Sequence, residues 1–376
     1  MNLLITCPQW LSSVLTSELK RLGMKPYDTF PHGTYVETDM RGMMEANLRL
    51  RSASKVFLLV NEATVTNMDD IFAESKAIDR SPGITADDHI RIVATSTHAG
   101  IISPKAMQSV AHAAIVQWAG CRGDFRDDEH TKEIYINCGP DSCRRYINTS
   151  GDSLHKRGYR TQTSDAPLQE TLAAWLILQS WRKSHIPLRD PCCGSGTICI
   201  EAALIARNIA PGLTRSFTFQ SFPIYRADLR ESIITDAKSK QYNKTYHIHG
   251  SDIDPNIIPI AIVNATRAGV VDCIDFDVSS LTREGWGGFA TKAESLPVMG
   301  RQEGLYIITN PPYGQRIGWS DDLASLYDTL LSYYTQWAKG WYITSYRHDI
   351  PASLRPQIKT RQVMNGGMEC TMYFVH

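Results

Sequence analysis

The sequence predicts an α/β protein: a doubly wound, mostly parallel sheet with a C-terminal antiparallel hairpin, preceded by a smaller α+β region. Three observations carry this. After the helical stretch "PLQETLAAWLILQSW", short apolar runs ("IPLRD", "YHIHGSD", "CIDFD", "LYIITN", "WYITS") alternate with helical segments, the rhythm of parallel strands joined by crossover helices. The chain closes with "IKTRQVMNGGMECTMYFVH", two β-forming runs around a Gly-Gly turn. The first 150 residues also mix strands and helices, but carry no cluster of chemically active side chains.

Taken in order, "LLIT" reads as a strand, followed by a helix in which Leu11, Val14, Leu15, Leu19 and Leu22 recur at helical spacing. "GTYVET" is a second strand and "MMEANLRL" a second helix. "SKVFLLVNEATV", "HIRIVAT" and "KEIYINC" read as strands separated by helices through "MDDIFAESKAI" and "PKAMQSVAHAAIVQWAG". The run "CRRYINTSGDSLHKRGYR" reads as a basic connecting stretch: Arg144, Arg145, Lys156, Arg157 and Arg160 face one acid, Asp152, with Tyr146 and Tyr159 interleaved. Charge and aromatics in that mixture suit contacts to phosphates and bases, and a solvated linker explains the charge equally well. In the second half, proline opens the helix at 167. Leu323, Leu326, Tyr327, Leu330, Leu331, Tyr334 and Trp337 form one apolar helical stripe, which reads as core.

The bulk properties narrow the class. With 43% hydrophobic and 21% charged residues the chain is of globular type, and 376 residues suit two or three domains. No apolar run reaches membrane-spanning length, and the N-terminus lacks the pattern of a signal peptide, so a cytoplasmic location is expected. Thirty-nine basic and 39 acidic residues balance to zero, which argues against a strongly cationic nucleic-acid binder on average. Nine scattered cysteines with no CxxC pair read as reduced thiols, and no metal is expected.

In an open α/β sheet ligands bind at the carboxyl ends of the strands. The first such end is "DPCCGSGT", in which Gly194 and Gly196 allow a tight turn and Thr197 opens the next helix. No GK[ST] follows, and the third glycine of a dinucleotide fingerprint is missing. The next end, "GSDIDP", offers Asp252 to ribose hydroxyls, with Asp254 as a helix cap before Pro255. The third offers Asp277 to an adenine amino group. Together these describe a pocket for an adenosine without phosphate, which fits S-adenosylmethionine better than NAD. The fourth end, "NPPY", presents the amide oxygen of Asn310 and the carbonyl of Pro311 as acceptors for an exocyclic NH₂. Tyr313 can stack on a planar ring, and Pro311 and Pro312 stiffen the edge.

"DPCCGSGT", "GSDIDP" and "NPPYG" at these spacings resemble the amino-group methyltransferases. "SGDSLHKRGYR", "DAPLQETLAA" and "ARNIAPGLTRSFTFQSFP" are more specific: they resemble the bacterial THUMP-domain RNA methyltransferases that make N2-methylguanosine in 23S ribosomal RNA. The resemblance runs from residue 45 to the C-terminus, and residues 1–50 resemble the ferredoxin-like part of that family. It implies a ferredoxin-like part over 1–50, an RNA-binding THUMP domain over 51–155, and a Rossmann-like class I methyltransferase domain over 160–376. It implies S-adenosylmethionine as donor, held by Asp190, Gly194, Gly196, Asp252 and Asp277, with Cys192, Thr197 and Asn310 beside it. Ala166, Pro167 and Leu168 match a stretch that lies against the donor. Asn310, Pro311, Pro312 and Tyr313 match the catalytic edge. Cys192 departs from the family, where an aromatic residue is commoner. Other expectations consistent with parts of the pattern are a tRNA guanine-N2 enzyme, a DNA-adenine or protein-glutamine methyltransferase, and an RNA-binding assembly factor without catalysis.

Overall fold

In the computed structural model the chain divides into two compact units, residues 1–154 with 212–239, and residues 155–211 with 240–376. The structure describes residues 1–9, 11–97, 103–120, 131–160, 168–180, 183–281, 305–312, 320–336, 338–345, 348–365 and 367–375.

The first unit is built on one seven-stranded sheet in the order β2-β3-β1-β4-β7-β6-β5. Its elements are β1 (Asn2–Thr6), α1 (Ser12–Arg21), β2 (Pro26–Phe30), β3 (Gly33–Glu37), α2 (Met40–Arg49), β4 (Lys55–Ala63), α3 (Met68–Lys76), β5 (His89–Ser96), α4 (Pro104–Ala119), β6 (Thr131–Cys138) and β7 (Cys143–Asn148). The apolar spacing read in α1 is the buried one: Val14, Leu15 and Leu19 face the core. Glu18 is buried with them. The backbone amides of Arg51 and Ser52 donate to its carboxylate, so the charge is answered by fixed dipoles. Because β1 pairs with both β3 and β4, the regions expected as two separate N-terminal parts share a continuous sheet.

Two strands depart from the sequence reading. β2 forms at residues 26–30, and β7 forms from the start of the supposed basic linker, between β4 and β6. The hairpin joining β6 to β7 also corrects the expectation of nine free thiols. Cys138 and Cys143 are register partners across it, which brings their sulfurs together, and they form a disulfide. The other described cysteines are free.

A third departure concerns residues 212–239, which were expected within the methyltransferase domain. They pack inside the first unit, where helix α7 (Ala227–Ser239) lies on α2. Asp236 pairs with Arg49 at 2.5 Å, and the buried Lys132 donates to the Ser221 hydroxyl at 2.7 Å. Arg215 donates to the carbonyls of Asp152 and Ser153.

The second unit has the predicted doubly wound form. Its sheet runs β10-β9-β8-β11-β12-β14-β13. The strands are β8 (Leu188–Asp190), β9 (Ile248–Asp252), β10 (Ile274–Val278), β11 (Leu305–Thr309), β12 (Ala338–Thr344), β13 (Ile358–Asn365) and β14 (Met368–Val375). β8 to β12 pair in parallel, and β14 is antiparallel to both β12 and β13, the predicted closing hairpin. The helices are α5 (Glu170–Gln179), α6 (Thr197–Ala206), α8 (Ile257–Arg267) and α9 (Ser320–Gln336). α5 and α6 are apolar almost all round and correspondingly buried. On α9, Leu323, Tyr327, Leu330, Leu331 and Tyr334 bury themselves against Ile307 of β11 and Tyr342 of β12. Leu326 of that stripe is half-buried, and Trp337 lies outside the described residues. Strand order reverses between β8 and β11, so the crevice expected to hold a ligand opens at their carboxyl ends. Among the described residues no helix is long and apolar enough to cross a membrane.

Candidate active site

β8 ends at Asp190, and the chain turns through Cys192, Cys193, Gly194 and Gly196 into α6. Gly194 and Gly196 have φ of +51° and +86°, conformations that side chains with a Cβ rarely adopt. At Gly196 the space is also closed, since a Cβ would come within 3.2 Å of both Ala261 and Phe276. At Gly194 a Cβ would meet nothing within 4 Å, so the backbone there faces open space. The turn is held by three bonds. The Cys193 amide donates to the Ser251 carbonyl, the Gly194 amide to Asp252 Oδ2 at 2.9 Å, and the buried Asn264 side chain to the Ser195 carbonyl. Gly196→Ala should lower stability by about 1–3 kcal/mol, from backbone strain plus the two close contacts, read as a fall in the thermal midpoint. An unchanged midpoint would mean that Ala261 and Phe276 yield at little cost.

Asp190 is 1% exposed. The Thr309 hydroxyl donates to it at 2.7 Å and the Cys192 amide at 3.3 Å. Burial pushes its carboxyl up to about 7, against the pull of these two donors, with Asp252 adding to the rise. Asp252, at the end of β9, accepts from the amides of Gly194 and Asp254. Asp277 lies near the end of β10, with Oδ1 3.5 Å from His249 Nε2. Burial, then the Arg189 charge, holds His249 below its usual value, so it is neutral at pH 7. Asp254 does not cap α8 as expected. Its side chain accepts from the Asn256 amide two residues on, a local turn ahead of the helix.

Two residues that the sequence reading passed over complete this edge. Ile253, directly after Asp252, is 72% exposed, and Val278, in register with Asp252, is 53% exposed. Bulky apolar side chains left in water at the ends of neighbouring strands suit a flat ring. The signal was present as an apolar residue directly after each of two strand-end acids, where a polar loop was the natural expectation.

β11 delivers the fourth group. Thr309 is buried, and Asn310 follows with its amide oxygen Oδ1 buried and without a hydrogen-bond partner among the described residues. Pro311 is buried and Pro312 half-buried. The Tyr327 hydroxyl lies 3.3 Å from the Pro312 carbonyl, toward which it can donate, and 2.5 Å from Thr344 Oγ1. Tyr327→Phe should cost about 1–2 kcal/mol of stability and lower turnover by loosening this edge. Wild-type turnover in the folded variant would mean that the edge is held by other contacts. Tyr313, Ala166 and Pro167 lie outside the described residues. Leu168 is buried, and its carbonyl accepts from Arg160.

The basic residues expected to touch RNA are mostly turned inward, a correction with a clear cause. Because Arg144 and Arg145 are consecutive in a strand, they point to opposite faces of the sheet. Arg145 is fully buried, donates to Asn61 Oδ1 at 2.8 Å, and burial pulls its guanidinium down to about 10. Arg144 pairs with Glu62 at 2.8 Å, donates to the Tyr35 hydroxyl and lies over the Tyr35 ring. Arg157 is buried beside Glu201, and Arg160 is nearly buried beside Glu170. Lys156 remains exposed. Thr197 is buried too, its hydroxyl accepting from Arg160. Among the described residues no three His, Cys, Asp or Glu side chains gather as a metal site would require.

The strand order, the glycine turn and the acids at successive strand ends define a Rossmann-like methyltransferase. The chain belongs to the family of RMKL-like methyltransferase domains, which it matches over residues 157–373, and residues 2–57 match the RlmL ferredoxin-like domain. It is 30% identical over 401 residues to the ribosomal RNA large subunit methyltransferase K/L of Shewanella sediminis (strain HAW-EB3), covering 100% of this chain and 53% of that one. The chain thus spans about half the length of the K/L relatives it matches. It is also 30% identical to YpsC of Bacillus subtilis (strain 168), named provisionally as an RNA methyltransferase, over 99% of this chain and 95% of that one. Among solved structures it resembles SMU.472, complexed with SAH, with a TM-score of 0.82 and 26% identity, covering 100% of this chain and 97% of that one.

Proposed function

We propose that this chain is an S-adenosylmethionine-dependent RNA methyltransferase acting on the exocyclic N2 of a guanine in 23S ribosomal RNA. The observation that supports this most directly is the buried, unpartnered Oδ1 of Asn310. Leaving a buried acceptor unsatisfied costs about 1–3 kcal/mol. A planar exocyclic NH₂ brought to this edge is a donor of the right kind.

The residues present fit the methyl donor. Asp252 is placed for ribose hydroxyls, Ile253 and Val278 for the adenine faces, Asp277 for an adenine amino group, and the buried Asp190 carboxylate for a cationic group. Gly194 lets the ligand approach the backbone closely. When bound, S-adenosylmethionine supplies an electrophilic methyl on a sulfonium. The chain's own work lies on the acceptor side. Guanine N2 is a poor nucleophile because its lone pair is delocalised into the ring. Asn310 Oδ1 and the Pro311 carbonyl accept its two hydrogens, favouring pyramidal nitrogen and a lone pair directed at the methyl. Tyr313 stacks on the base, which leaves its helix or loop at a cost of a few kcal/mol. Pro311, Pro312 and the Tyr327 hydroxyl keep the edge fixed.

The RNA part of this reading draws on the K/L and YpsC relatives. Nucleosides from separated rRNA and tRNA of a deletion strain test it by mass spectrometry. Loss of N2-methylguanosine from large-subunit rRNA, mapped by primer extension, is the expected result. Loss from tRNA alone would transfer the substrate to tRNA. No loss from either would overturn the guanine reading.

A further inference from the structure

We propose that Arg160 is a positioning residue of the donor pocket, a strut joining the helix opened by the glycine turn to the chain that enters α5. The inference rests on the methyltransferase reading above. One nitrogen, Nη2, donates to two acceptors at once: Thr197 Oγ1 at 2.6 Å and the Leu168 carbonyl at 2.9 Å. Thr197 is the first residue of α6, directly after Gly196. Leu168 belongs to the stretch that the sequence resemblance sets against the donor. The two acceptors therefore lie on two different walls of the candidate pocket.

The surroundings of Arg160 face inward in the same way. Its Nε lies 3.5 Å from Glu170 Oε1, in the first turn of α5. Arg157 Nε lies 3.5 Å from Glu201 Oε1, and the Tyr159 hydroxyl donates to that oxygen at 3.2 Å. Glu201 sits one turn after Thr197 on the same face of α6. The run from Arg157 to Arg160 is thus folded along α6. A turn with two glycines at positive φ contributes little stiffness of its own, so the position of the Thr197 end of α6 governs where Cys192 and Gly194 sit. A planar guanidinium serves this better than an ammonium, because its donors are fixed in direction.

Calorimetric titration of the full-length protein with S-adenosylmethionine and S-adenosylhomocysteine tests this, alongside steady-state KM for RNA. Arg160→Gln should weaken donor binding by about 10–100-fold, the scale of losing hydrogen bonds from a charged group, with the KM for RNA little changed. Arg160→Lys should recover part of the affinity. Thr197→Val, which removes one acceptor and keeps the side chain's size, should weaken binding less, and adding it to Arg160→Gln should do no further harm. Should Arg160→Gln fail to fold, the Thr197→Val titration decides alone. Wild-type donor affinity in the folded variants would overturn the proposal, as would an effect confined to the KM for RNA. A wild-type protein that binds neither ligand would instead overturn the methyltransferase reading.

Discussion

Asn310→Ala should lower kcat by about 10²–10³-fold, equivalent to about 3–4 kcal/mol of barrier, while donor affinity stays close to that of the wild type. The size follows from what is removed: a single preorganised acceptor in a water-poor site. Its oxygen is buried and without a partner among the described residues, so no internal bond need break before it can accept the amino group. Single-turnover transfer from labelled donor to unmodified 23S RNA separates the chemical step from product release, and calorimetry reports donor binding. Full turnover in the variant would remove Asn310 from the chemistry. Parallel loss of donor affinity would make it a donor ligand instead.

The second large effect is expected at Asp190, and it depends on pH. Burial lifts its carboxyl to about 7 in the folded chain, from an ordinary value of 3.8. A carboxyl raised on folding contributes stability below the unfolded value, and that contribution is lost as pH rises through the folded value. Across pH 4 to 8 this group alone should therefore subtract about 4 kcal/mol, and Asp190→Asn should be the more stable protein at pH 8. Donor binding should run the opposite way. A cationic ligand group favours the ionised carboxyl, so wild-type affinity should fall by up to about tenfold per unit below pH 7. Asp190→Asn should bind about 10–100-fold more weakly above pH 7 and lose this pH dependence. Denaturant melts at pH 5 and 8 and titrations between pH 6 and 8 measure both. A variant that matched the wild type in affinity and in pH profile would take Asp190 out of the donor site.

Much of the second unit was legible because its signals are local. Each strand is a short apolar run, each ends on the residue that carries chemistry, and Asp190, Gly194, Gly196, Asp252, Asp277 and Asn310 fall at the carboxyl edge from that rule alone. What escaped the sequence depended on distant partners. β7 was hidden because Arg144 and Arg145 read as solvated charge. Their partners, Glu62 and Tyr35 for one and Asn61 and Ser75 for the other, are 70 to 109 residues away. Arg157 and Arg160 misled for the same reason, since Glu201 and Glu170 reveal themselves as partners only once α5 and α6 stand beside them. The place of residues 212–239 was equally unreadable, because nothing in the local pattern of α7 says which unit supplies the partner for its apolar face.

That last segment also governs how the chain can be divided. The polypeptide passes from the first unit to the second after residue 154, returns at 212, and leaves again after 239. No single cut separates the two units. A fragment beginning at residue 160 would carry α7 without α2, leaving Ile233 and Ala237 with no apolar surface to cover. A fragment ending at residue 155 would lack the helix that Arg49 and Leu48 bind. Ribosomal synthesis meets the same constraint: the first unit stays incomplete until part of the second has already emerged, so the two reach their native form as interdependent products of one translation event.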